Sequence, residues 1–300
     1  MTATVAALQT SPQPTMAAAL DQTLTLAEEA VNSGAVFLGT PEYCGGLVSD
    51  GPALVPPHAE EDKHLYLAGL KRFSAANGVW FMVGSIAVTA PQDRIYNRGF
   101  MLDDTGQVRS RYTKIHMFDI QLSETDVYRE SATVEAGAEV VLAETPAGLL
   151  GHTICYDLRF PQLYRELAQA GAQILAVPAA FTRKTGEMHW HVLNRARAIE
   201  NGAWVFSPCA VGEVPGGGAA YGHSLIIDPW GTVVADGGEA PGVVLAEIDA
   251  KVSAEARQRI PSLSHDRPVS TGAVSRDPVS ADSVSASPGS ESVASQVNVA

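Results

Sequence analysis

Short apolar segments and amphipathic segments alternate along most of this chain, and that alternation restricts the fold more than any other feature of the sequence. Thr4 to Leu8 is a short apolar run, and Met16, Leu20, Leu24, Ala27 and Val31 then recur at helical spacing before Gly34. Ala35 to Gly39 is a second short run. Leu65 to Asn77 suits a helix closed by Gly78, and Val79 to Val88 a strand. Residues 95–102 and 107–115 read as strands around Asp103-Asp104-Thr105-Gly106. Beyond them, Val140 to Ala143 and Leu149 to Ile154 flank a Pro146-Ala147-Gly148 turn, and a helix is predicted from about Pro161 to Ala170. Gln173 to Val177 reads as strand, His189 to Asn201 as helix and Ala203 to Ser207 as strand. Ser224 to Ile227 and Thr232 to Ala235 bracket Asp228-Pro229-Trp230-Gly231 as a hairpin. Strand and helix taking turns in this way predict a layered α/β fold.

No breakpoint is visible before about residue 265, so residues 1–265 are expected to form one domain. The composition then changes. The 35 residues 266–300 contain nine serines and no Leu, Ile, Met or aromatic residue. Such a segment buries too little apolar surface to offset its ordering entropy and is predicted to be a disordered tail.

The net charge of −13 argues against nucleic acid and anionic membrane surfaces as partners. No apolar run approaches a membrane span, and the N-terminus lacks the pattern of a signal peptide. Three widely separated cysteines, Cys44, Cys155 and Cys209, suit neither a disulfide framework nor a zinc cluster. A cytoplasmic location is the expectation.

Cys155 follows an apolar strand, Gly148 to Ile154, and leads through Tyr156-Asp157-Leu158-Arg159-Phe160-Pro161 into a helix. A thiol at such a turn can face a cleft beside backbone N–H groups, or it can be a buried packing residue. Glu42 closes Ala35 to Pro41 and can be a base held in apolar surroundings or a solvated loop residue. Lys114 lies among residues that read as buried; it has either an electrostatic task or an edge-strand role. Among the histidines, His152 should face away from Cys155. His189 and His191, two apart on a helix, should face apart, and no partner at ligand spacing supports a metal site there. His116 and His223 remain candidates on paper. The glycine-rich stretch Gly212 to Gly218 is followed by a strand, which argues against a phosphate cradle. Cys209 is expected to be buried at a strand end, and Cys44 to be a non-catalytic thiol.

Several stretches together resemble the nitrilase superfamily of carbon–nitrogen hydrolases. They are Pro41-Glu42, Tyr112-Thr113-Lys114-Ile115-His116, Cys155 to Pro161, His189-Trp190, Arg195 to Glu200, and Tyr221-Gly222-His223-Ser224 running into Asp228-Pro229-Trp230-Gly231. The resemblance covers about residues 3–260 and is closest to the branch of omega-amidases and deaminated glutathione amidases. It implies a four-layer α-β-β-α sandwich, commonly a homodimer, and a triad of Glu42 as base, Lys114 at the oxyanion and Cys155 as nucleophile. It further implies Glu130 as a supporting glutamate, with Glu124 and Glu135 as surface residues, and a role for the Tyr156 backbone N–H beside the oxyanion. No metal or organic cofactor is implied. The substrate would be a small acidic omega-amide, of the deaminated glutathione or alpha-ketoglutaramate type, cleaved through a thioester with release of ammonia. An N-carbamoyl amide hydrolase and a catalytically silent binding protein are the alternatives. Arg159, with the loop of Phe181, Thr182, Arg183 and Lys184, is the expected holder of the acid end; an ion pair of Arg159 with Asp157 or with a helix residue is the competing expectation. The Tyr43-Cys44-Gly45-Gly46 stretch departs from the family pattern.

Overall fold

Two β-sheets lie back to back in the computed structural model, which describes residues 2–51, 53–121, 123–124 and 127–269. The expected tail falls largely outside the described residues. The first sheet has seven strands, in the order Val134–Glu135, Ile95–Leu102, Trp80–Thr89, Phe37–Gly39, Thr2–Gln9, Gly242–Asp249, with Val108–Thr113 also paired to Ile95–Leu102. Its centre is parallel, Thr2–Gln9 and Trp80–Thr89 both running with Phe37–Gly39. The second sheet has six, in the order Leu142–Thr145, Gly148–Gly151, Ile174–Ala176, Trp204–Ser207, Leu225–Ile227, Val233–Asp236.

Alternation of side chains along the strands decides the layers. Val5, Ala7, Phe37 and Met82 from the first sheet meet Leu150, Ile174, Ala176 and Phe206 from the second in one buried cluster. The other face of the first sheet, with Leu8, Leu38 and Phe81, packs on helices α1 (Met16–Asn32) and α2 (Leu65–Asn77). The outer face of the second, with Leu175, Val205 and Ile227, packs on α3 (Pro161–Gln169) and α4 (Arg183–Asn201). The molecule is therefore a four-layer α-β-β-α sandwich. A last helix, α5 (Ala250–Arg259), follows the returning strand Gly242–Asp249.

Local chemistry sets the boundaries. Thr15 caps α1, its side chain accepting from the Ala18 N–H, and Gly78 ends α2 at φ +64°. The helix expected from His189 starts six residues earlier, at Arg183, with Thr182 extended at its N-cap position and its hydroxyl bonded to that of Thr185. Arg183 and Lys184, expected in a loop, thus occupy its first turn. The segment after Cys155 is a 3-10 turn, Cys155–Arg159, and the α-helix begins only at Pro161. The strand Gly242–Asp249 and α5 were not anticipated: the Asp236 to Gly242 turn formers mark a boundary, but Gly242 to Asp249 lacks strict alternation.

Candidate active site

The ends of strands from both sheets meet at one cavity, and the residues expected to act together converge there. Glu42 follows Phe37–Gly39, Lys114 follows Val108–Thr113, and Cys155 lies shortly after Gly148–Gly151. Lys114 is 1% exposed. Its ammonium donates to Glu42 Oε1 at 2.7 Å and to Glu130 at 2.9 Å (Oε2) and 3.1 Å (Oε1). Asn97 Nδ2 donates to both glutamates, 2.9 Å to Glu42 and 3.2 Å to Glu130. The Ala180 N–H donates to Glu42 Oε2, and the Phe118 N–H and Tyr43 hydroxyl to Glu130. Two buried carboxylates are therefore matched by one buried ammonium and several neutral donors, which is what makes charge at such depth tolerable.

Burial by itself pushes the Glu42 carboxyl up. The Lys114 ammonium, together with hydrogen bonds from Lys114, Cys155 and Ala180, outweighs that and holds it below its ordinary value. Burial pulls Lys114 down, but Glu130 and Glu42 more than restore it, so the ammonium stays charged. Burial pushes the Cys155 thiol well up and the Glu42 carboxylate adds to this, with Lys114 opposing. The resting arrangement is a neutral thiol against an ionised carboxylate, since a thiolate would be a further anion beside two.

Cys155 adopts φ +48°, a left-handed conformation that costs a non-glycine residue about 1–2 kcal/mol. Its N–H donates to the Pro178 carbonyl, which helps hold the turn. Asp157, fully buried, ties that turn to the lysine strand. It accepts from the Ile154 N–H, from the Tyr112 hydroxyl at 2.7 Å and from the His116 N–H, and His116 Nδ1 lies 2.7 Å away.

The cavity, about 670 Å³ with its open mouth, is lined by Glu42, Lys114, Glu130 and Cys155 and walled by Tyr156, Phe118, Tyr128, Phe181, Thr182 and the Gly217-Gly218-Ala219 stretch. Tyr156, Phe181 and Thr182 stand where expected. Arg159 does not: it is absent from the lining, its guanidinium lying 5.9 Å from the Tyr156 ring centroid and 5.5 Å from that of Phe181, with His189 Nδ1 at 3.3 Å. The competing ion pair with Asp157 is not formed either, because Asp157 is taken by Tyr112, His116 and Ile154. Arg183 and Lys184 line an adjoining hollow that shares Tyr128, Thr182, Gly218 and Ala219 with the cavity. Glu124 and Glu135 are exposed, Glu135 pairing with Arg94.

The remaining candidates are engaged elsewhere. His152 stands by Ser110 Oγ at 2.9 Å, and His116 stacks on Phe160. Cys209 is fully buried and its thiol is pushed by burial up to about 12; Cys44 is buried near Thr40 and Ser85. Sequence reasoning missed Asn97 and Tyr43, whose isolated polar side chains carry no spacing signal. The stretch Gly212 to Gly218, read only as no phosphate cradle, includes the loop between the paired strands Val211–Glu213 and Ala219–Tyr221, and Val214, Gly217 and Gly218 of that loop line the cavity.

A sandwich of this layering, with a glutamate, lysine and cysteine in one cavity, defines the class of hydrolases that act on carbon–nitrogen bonds other than peptide bonds. The chain belongs to the carbon–nitrogen hydrolase family, whose sequence profile matches residues 4–258. It is 38% identical over 268 residues to the deaminated glutathione amidase of Synechocystis sp., covering 87% of this chain and 96% of that one. To the deaminated glutathione amidase of Yersinia enterocolitica it is 37% identical over 245 residues, covering 80% and 85%. Among solved structures it superposes on the C. elegans NitFhit protein with a TM-score of 0.81 and 29% identity, covering 89% of this chain and 65% of that one. With Saccharomyces cerevisiae Nit3, a member of branch 10 of the nitrilase superfamily, the TM-score is 0.75 at 28% identity, covering 87% and 94%.

Proposed function

We propose that the protein is an amidase that hydrolyses a small acidic omega-amide, of the deaminated glutathione or alpha-ketoglutaramate type, through a Cys155 thioester. The observation that carries this reading is the Cys155–Glu42–Lys114 contact at a cavity wall, with Glu130 and Asn97 fixing the lysine and glutamate. Glu42 takes the thiol proton as sulfur attacks the amide carbon. The oxyanion is held by Lys114 Nζ and the Tyr156 backbone N–H. Collapse breaks the C–N bond, and Glu42 returns the proton to the leaving ammonia. Water, deprotonated by Glu42, then attacks the thioester, giving the acid and restoring the thiol. Glu130 holds Lys114 charged and in place throughout. The relatives named deaminated glutathione amidase support this substrate class.

The acid end of the substrate points outward in this reading, toward Arg183 and Lys184, and not toward Arg159, which is outside the lining and against the Tyr156 and Phe181 rings. The enzyme works in the cytoplasm as a homodimer formed through the outer helices, where Met188, Val192 and Ile199 of α4 are exposed. Among the described residues, no helix is long and apolar enough to cross a membrane. Residues 1–265 act as the hydrolase domain and 266–300 as an appended tail.

Ammonia release from deaminated glutathione, alpha-ketoglutaramate, N-carbamoyl-beta-alanine and a simple nitrile tests the reading, with Cys155→Ala as control. Turnover of one of the first two, lost in Cys155→Ala, is expected. Turnover of the carbamoyl compound alone overturns the amidase assignment. Replacing Arg183 and Lys184 together by Ala should raise KM for the acidic amide by roughly tenfold, the scale of about one charge-assisted hydrogen bond, while leaving a neutral amide unchanged.

A further inference from the structure

Outside the cavity, and among the described residues, His191, His223 and Asp236 each offer a metal-ligating atom within 4.8 Å of the others. They come from three elements: His191 from the middle of α4, His223 from the turn after Ala219–Tyr221, and Asp236 from the end of Val233–Asp236. The carboxylate sits between the two rings. Its Oδ2 is 3.0 Å from His191 Nε2 and its Oδ1 2.8 Å from His223 Nδ1.

A short run of hydrogen bonds through Gly238 and Trp190 holds Asp236 and His223 together and ties them to α4, which carries His191. The Gly238 N–H donates to Asp236 Oδ1, the His223 N–H donates to the Gly238 carbonyl, and the Trp190 indole donates to the His223 carbonyl. A tetrahedral ion about 2.0–2.1 Å from its nitrogen and oxygen ligands keeps those ligands roughly 3.3 Å apart. The two spacings to Asp236, which run to different carboxylate oxygens, fall short of that by a few tenths of an ångström, and the two ring nitrogens lie within 4.8 Å of each other, so rotations of the rings and the carboxylate bring both nitrogens and one oxygen onto a single ion.

We propose that His191 Nε2, His223 Nδ1 and one Asp236 carboxylate oxygen form a binding site for a divalent transition cation, with zinc the best match to two imidazoles and a carboxylate. Each histidine binds as the neutral ring, its remaining proton moving to the other nitrogen. For His223 that nitrogen is Nε2, and Glu239 Oε1 lies 4.0 Å from it, placed to accept the N–H after a side-chain rotation. The His191 and Asp236 side chains are each 33% exposed, so the fourth position opens to solvent.

The consequence for the molecule is mechanical. Tyr221 stacks on His223 with ring centroids 4.6 Å apart, and its N–H donates to the Phe181 carbonyl. Phe181 and Ala219 both line the cavity. An ion at this site fastens α4 to the ribbon that walls the cavity, as a clamp with no part in bond cleavage.

Zinc titration by calorimetry tests the site, using the full chain carrying Cys155→Ala so that the cavity thiol does not compete. One equivalent should bind. His191→Gln and Asp236→Asn should each weaken binding at least tenfold, while His58→Ala, at an exposed histidine elsewhere, should leave it unchanged. At zinc 100-fold above Kd the unfolding midpoint should rise by about 5 °C, and neither ligand variant should show the rise. Cobalt in place of zinc should give visible bands without a thiolate charge-transfer band. Absence of binding, binding indifferent to both substitutions, or a thiolate band would each overturn the proposal. Should Asp236→Asn fold poorly, His191→Gln, at a partly exposed helix position, decides the matter.

Discussion

Lys114 is a cation with almost no contact with solvent, and the site depends on its two carboxylate partners as much as they depend on it. Lys114→Met should leave Glu42 and Glu130 buried without a countercharge, at a cost of about 3–5 kcal/mol. Urea unfolding reads that loss, and kcat/KM should fall by about 10³ on the proposal that Lys114 is an oxyanion donor; a variant as stable as the parent would show the carboxylates to be satisfied without it. The proton inventory makes a second prediction at this scale. Burial holds His64 and His152 neutral, at about 4 against 6.5 for the unfolded chain. Between those values the unfolded chain binds the extra proton, so stability is full above pH 6.5 and falls as pH drops toward 4. At pH 5 each histidine should have cost roughly 2 kcal/mol relative to pH 7. Denaturant midpoints at the two pH values measure the sum, and His152→Gln should remove about half of it. At the residue level Glu42, Lys114 and Cys155 were legible in the sequence only as a set with family spacing. Each taken alone had an equally good bland explanation.

Elements carry the precision of the site. The strand Trp80–Thr89 is bulged between Val83 and Ile86, where the pairing with Ile95–Leu102 shifts. Gly84 sits in that bulge, and a β-carbon there would collide with the carbonyl oxygens of Thr40 and Pro41, just ahead of Glu42. Glycine is needed for close approach of two backbones. Gly84→Ala should therefore destabilise by at least about 1–3 kcal/mol through overpacking and also lower kcat, because it displaces the segment that carries the carboxylate. Thermal unfolding with kcat measured on the folded fraction checks this, and unaltered turnover would mean that Glu42 is positioned independently of the bulge. The bulge had no sequence signal beyond a glycine inside an apolar run. The early start of α4 was similarly hidden, since Arg183 to Met188 carries no apolar periodicity and Thr182 makes no capping bond with its side chain.

The whole molecule is held by the contact between its sheets. Phe206 is fully buried there, over Gly39 and 5.4 Å from the Phe37 ring centroid. Phe206→Ala should cost about 3–5 kcal/mol in urea unfolding, and a loss under 1 kcal/mol would mean that the interface closes over the gap. A chain ending at His265 should keep its activity and unfolding midpoint, as the contacts group Met1–His265 into one unit; loss of either on truncation would assign the tail a structural task. What the sequence determined alone was the α/β class, the placing of most strands and helices, and the family, because periodicity and motif spacing are local properties of a chain. Only the tertiary structure decided which residues share a cavity. It left Arg159 out of the lining, against the Tyr156 and Phe181 rings, set Arg183 and Lys184 at an adjoining hollow, brought the glycine-rich loop to the cavity and put Asn97 between two glutamates. It also joined His191 to Asp236, 45 positions away. Such meetings depend on strand order and sheet packing, which bring distant segments together at a free energy no local pattern records.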